Sequence, residues 1–106
     1  MTPRVVIDRK AQAEIKNAVE TVQSEWAPDV VRIRYNLGED WTEDPSIFFR
    51  IVLSDEASAP SRLRETSAGV KKRLVEAVDP YDLGLQAYFN FRSSSEQAES
   101  GDAAWN

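Results

Sequence analysis

The chain has 106 residues, 42% of them hydrophobic and 29% charged, with 13 basic against 18 acidic side chains and a formal charge of −5. That length supports one domain around one core and leaves no room for separate binding and catalytic domains. Cys and His are both absent, which removes disulfides, thiol nucleophiles, zinc knuckles and every Ser-His or Cys-His mechanism.

Val5-Val6-Ile7 is apolar and β-branched and fits either a short edge strand or a loose arm. The first clear element is a helix. Asp8 is a candidate N-cap, since its carboxylate can accept from amides left unpaired in the first turn. Ala11, Ile15, Ala18, Val19, Val22 and Trp26 then recur at helical spacing, and Pro28 ends the segment. Two strands follow. Val31, Ile33 and Tyr35 alternate with Val30, Arg32, Arg34 and Asn36, while Ile47, Phe49, Ile51 and Leu53 alternate with Phe48, Arg50, Val52 and Ser54. The link from Leu37 to Pro45 carries Gly, Asp and Pro, so an antiparallel pair with a protruding acidic loop is the simplest expectation.

A second helix is predicted from about Ala59 to Val78, capped by Ser58, with Pro60 in the first turn and Leu63, Ser67, Val70, Leu74, Ala77 and Val78 on the buried stripe. Gly69 inside it costs about 1 kcal/mol relative to alanine and signals a kink or a close approach. Leu85, Ala87, Phe89 and Phe91 alternate with Gln86, Tyr88, Asn90 and Arg92 as a third strand. Residues 93–106 show no periodicity and are expected to be a flexible acidic tail after a single domain of residues 1–92.

The order α-β-β-α-β predicts an α+β fold, a two-layer α/β sandwich with two helices on one face of a three-stranded sheet. A helical crossover between the second and third strands makes them parallel. Their lateral order stays open. The alternation also fixes what faces away from the helices: Arg32, Arg34, Arg50 and Arg92, interleaved with Phe48 and Tyr88. Arginine forks bind carboxylates or phosphates and stack on aromatic planes, and Tyr, Phe and Arg are enriched at interfaces. The same types suit single-stranded nucleic acid, with bases on aromatics and cations along phosphates. The bland alternative is an ordinary solvated strand surface. Trp41, in the middle of the acidic loop, either folds back onto the domain or inserts into a partner. On the second helix Arg62, Arg64, Lys71, Lys72 and Arg73 extend the candidate nucleic-acid contacts or form a solvated basic face.

Catalytic motifs are missing. There is no GxxxxGK[ST], GxGxxG or GxSxG, and Asp55 and Glu56 at the end of the second strand have no converging partner. The carboxylates of the loop from Gly38 to Asp44 do not follow an EF-hand spacing, so neither metal nor cofactor is expected. The loop carries four negative charges (Glu39, Asp40, Glu43, Asp44) and the tail three (Glu96, Glu99, Asp102), which leaves the rest of the chain at +2.

The element order, with Ser67-Ala68-Gly69 interrupting the second helix before Val70-Lys71-Lys72-Arg73-Leu74, resembles type II KH-like domains of the ribosome-binding factor A kind. The resemblance covers Val30 to Arg92 in element order and only a few residues in motif. Ser67 stands where that family has alanine, and there is no GxxG loop. It implies RNA binding or ribosome assembly. The order also resembles small operon-encoded partners related to minimal nucleotidyltransferases. Without the Gly-Ser and paired-aspartate signature, such a relative would be non-catalytic.

The leading expectation is a non-enzymatic, cytoplasmic, protein-binding module, antitoxin- or adaptor-like or homo-oligomeric, with no membrane partner. It would use Arg32, Arg34, Phe48, Arg50, Tyr88, Arg92 and Trp41. The alternative is a KH-like RNA binder.

Overall fold

The computed structural model describes residues 7–106. Val5 and Val6 of the candidate arm lie outside these residues, and Ile7 packs against the core. The elements are α1 (Arg9–Glu25), β1 (Val30–Glu39), β2 (Pro45–Leu53), α2 (Leu63–Val78), β3 (Gln86–Ser93) and α3 (Ser94–Ser100), followed by a 3-10 turn at Ala103–Trp105. The predicted α+β order holds, with one helix added at its end. No helix of the described residues is long and apolar enough to cross a membrane.

Asp8 caps α1, accepting from the Ala11 amide at 2.8 Å. The helix buries Ile15, Val19 and Val22 against the sheet and α2. The sheet order is β1-β2-β3, with β1 antiparallel and β3 parallel to the central β2. The helical crossover through α2 requires that parallel pairing. Phe49, at the centre of β2, stacks on Phe89 at 5.2 Å between centroids and is fully buried.

The alternation expected in β1 is broken at its start. A bulge between Val30 and Arg32 puts Val30 in the core at 2% exposure and turns Val31 out at 43%, after which Ile33 and Tyr35 resume the inward phase. One extra residue in one strand of an antiparallel pair reverses the facing of what precedes it. Beyond the bulge, the outward amide of Ile33 donates to the Gln23 Oε1 of α1 at 2.8 Å.

The second helix starts later than expected. Residues 54–62 run through turns that include Pro60, the first of them held by the Ala57 amide donating to Ser54 Oγ, and α2 begins after Arg62 with no side-chain cap. Ser58 Oγ is buried without a hydrogen-bond partner. The buried stripe of α2 is therefore Thr66, Val70, Leu74 and Val78, and Leu63 at the first position is exposed. Gly69 provides the close approach its position suggested. A Cβ there would lie 2.5 Å from Cη2 of Trp26, so the indole seats directly on the helix backbone. Two ion pairs fasten the same seam, Arg73 to Glu25 and Arg62 to Asp29, both at 2.7 Å.

Residues 93–106 differ from the expected aperiodic tail. Ser93 and Glu96 form a reciprocal capping box, each side chain accepting from the other's amide at 3.1 Å, and this starts α3. Gly101 (φ 62°) ends that helix, and Asp102 caps the 3-10 turn by accepting from the Ala104 amide. The segment lies on the sheet face opposite α1 and α2, where it covers Val52 and buries Trp105.

Candidate functional site

Strand register arranges the outward face in rows across the three strands: Arg32–Val52–Arg92, Arg34–Arg50–Asn90, Asn36–Phe48–Tyr88 and Gly38–Ser46–Gln86. All six strand residues assigned to the binding surface therefore share one face. Arg34 and Arg50 stand directly opposite each other, a like-charge pairing that destabilises a ladder unless something intervenes.

The C-terminal segment intervenes. Arg50 Nε donates to the carbonyl of Ala104, Arg32 Nε to that of Trp105 and Arg34 Nε to the main-chain oxygen of Asn106, each at 2.8 Å. Arg92 lies over the Trp105 ring, 4.2 Å from its centroid, within the range of a cation–π contact. Gln97, buried in α3, accepts from Arg92 and donates to the Asp102 carbonyl, tying the helix to the turn. Arg50 also donates to Asn36 Oδ1. Among the described residues the one side-chain carboxylate within 4 Å of these four cations is Asp102, 3.8 Å from Arg92. The half of the face nearest Arg92 is thus covered by its own chain.

The other half is open and aromatic. Phe48 stacks on Tyr88 at 5.4 Å, and Trp41 leans on Tyr88 at 5.3 Å while remaining 80% exposed. The indole does fold back, but only along one edge. The loop beneath it is pinned by Asp40, whose carboxylate accepts from the Thr42 amide and hydroxyl, the Asp44 amide and the Tyr88 hydroxyl at 2.6 to 3.0 Å. The acidic loop is consequently an aspartate-centred turn, and no group of acidic residues with metal-holding geometry occurs among the described residues.

The Thr42 hydroxyl, the strongest influence, then the Tyr88 hydroxyl and the two amides lower the Asp40 pKa to about 2 against the tendency of desolvation to raise it. The same bond raises the pKa of Tyr88. A carboxyl whose pKa is lower folded than unfolded contributes stability that is fully present above its unfolded value, near 3.8, and is lost as pH falls toward 2. Asp40→Asn is expected to lower the melting temperature at pH 6 by more than at pH 2, and melting curves at the two values check it. Asp55 behaves alike. Its carboxylate, accepting first from the Ser95 hydroxyl and then from its amide, has a lowered pKa and ties the end of β2 to α3.

The basic residues of α2 are a separate group. Arg62 and Arg73 are engaged by Asp29 and Glu25, and the Lys71 ammonium sits about 6 Å from the Phe89 and Phe91 rings on the helix side of the sheet. Arg64 and Lys72 point into solvent without a side-chain partner among the described residues. The fold does not bring these five side chains onto the arginine face.

Gln97 and the main-chain oxygens of 104–106 carry no sequence signal as site groups, while Asp102 and Trp105 fall in the acidic-aromatic end of the segment expected to be a flexible tail. The Ser93-x-x-Glu96 spacing was the available signal of its order. The chain matches no protein-family model, no curated protein and no solved structure in the comparisons made with them.

Proposed function

We propose that this chain is a non-enzymatic protein-binding module, adaptor- or antitoxin-like or self-associating, whose contact surface is the open half of the sheet. The observation that carries the reading is the Trp41–Tyr88–Phe48 ladder: an indole four-fifths exposed yet held in place by a loop locked through Asp40. Interface energy concentrates in a few aromatic and Arg anchors, and an anchor already ordered costs less entropy on binding. Asn90 and Gln86, exposed beside the ladder, supply polar rim groups.

Trp41→Ala is expected to abolish association with the copurifying partner, or with a second copy in sedimentation velocity, while leaving the circular dichroism spectrum unchanged. Association that persists with the wild-type midpoint sinks the reading. Charge reversal at Arg34 or Arg50 is the poorer test, because both side chains hold the C-terminal segment. The RNA-binding alternative predicts binding at low salt that weakens steeply as salt rises. With Arg62, Lys71 and Arg73 already engaged within the chain, it has less to draw on.

A further inference from the structure

The covered half of the sheet is built to hold a peptide. Three guanidiniums receive three consecutive main-chain oxygens, and a fourth takes an indole against its plane. None of the three backbone contacts uses the identity of a side chain, so the recognition applies to any segment that adopts the same 3-10 turn and presents an indole at the right step. An open hollow of about 330 Å³ adjoins the segment, lined by Arg32 and Val52 of the sheet and by Gln97, Gly101 and Asn106. Arg32 and Arg50 each spend one Nε–H on a carbonyl oxygen, where a carboxylate could take two parallel N–H groups of a guanidinium.

We propose that the Arg32–Arg34–Arg50–Arg92 half of the sheet is a peptide-binding groove held shut by the chain's own residues 102–106, and that its ligand in trans is an acidic segment bearing a tryptophan. A side-chain carboxylate brought between the opposed Arg34 and Arg50 relieves their repulsion. Gly101 is the natural release point. It holds φ 62°, a Cβ on it would meet nothing within 4 Å, and the five residues beyond it carry the sheet contacts. The groove is independent of the Trp41 ladder and of the function proposed from it.

The test uses the full-length chain and a fluorescein-labelled peptide with the sequence of residues 99–106, read by anisotropy. Because the tail competes in cis, the apparent affinity of the wild type is reduced by the fraction of groove left free. Trp105→Ala in the chain should therefore tighten peptide binding by about tenfold or more. Gly101→Val, which strains the backbone and leaves the four arginines and Trp105 in place, should tighten it to an intermediate degree. Adding Arg34→Glu and Arg50→Glu to the Trp105→Ala chain should remove binding. The peptide carrying Ala104→Glu should bind several-fold tighter than its parent, an advantage that shrinks as salt rises. A Trp105→Ala chain that keeps its circular dichroism spectrum but binds no tighter than wild type overturns the proposal. If that variant fails to fold, wild-type affinity in Gly101→Val overturns it instead. Equal affinity for the two peptides overturns the acidic ligand. Trp41→Ala leaves this binding unchanged, which separates the groove from the aromatic ladder.

Discussion

Trp105→Ala is expected to lower the unfolding free energy by about 3 kcal/mol, the low end of the range for truncating a buried large aromatic. The indole is 7% exposed and lies in the cation–π contact with Arg92, and its own carbonyl accepts from Arg32. The low end applies because the segment can detach and let water solvate the arginines, so the void need not persist. For a domain of this size the loss corresponds to a fall in melting temperature of roughly 10–20 °C. Urea unfolding followed by far-ultraviolet circular dichroism measures it. A change below about 1 kcal/mol would mean that the capping box and the Asp55–Ser95 bonds hold the segment without the indole.

Gly69→Ala carries the second large effect, and its sign depends on a contest. Alanine favours a helix interior over glycine by about 1 kcal/mol. Against this, the new methyl carbon would stand 2.5 Å from Trp26 Cη2, 3.1 Å from Cζ2 and 3.4 Å from Cζ3. The obstacle is a rigid ring packed against the core rather than the end of a flexible chain. Overpacking of this kind costs about 1–3 kcal/mol, and a contact as short as 2.5 Å puts it in the upper part of that range, for a net loss of up to about 2 kcal/mol. A double-mutant cycle with Trp26→Ala identifies the cause. Once the ring is gone the alanine should become neutral or stabilising, so the two changes should cost less together than the sum of each alone. A cycle that closes additively assigns the loss to something other than the indole.

Much of the architecture is legible in the residues because it follows from two periods. Ile15, Val19 and Val22 reach the core at helical spacing, and Phe49, Ile51 and Phe89 reach it at strand spacing. The crossover through α2 then sets the parallel pair. The bulge at Val30–Val31 is not legible, since both residues are equally β-branched and apolar and only the pairing with β2 decides which faces in. The start of α2 escapes because Arg62, at its N-cap, makes no side-chain capping bond, so the cap signals at Ser58 and Pro60 fall in the turns that precede the helix. That the arginines share a face could be read from alternation. What meets them could not, because the groups that do so are main-chain oxygens, which no side-chain pattern encodes. α3 spans seven residues with a single buried position, Gln97, too little for a periodic signal.

The bond from the Ile33 amide to Gln23 has a consequence for how a partner can approach. β1 and β3 are the two margins of the sheet, and unpaired amides along a margin are a template on which another chain can lay a strand. On β1 the bulge bends the first residues out of line, and the Gln23 side chain occupies the first regular outward donor beyond it. Strand addition at that end would have to break an existing bond before making its own. The start of the margin beside α1 is in this sense already taken, so a strand added to β1 would have to begin beyond Ile33.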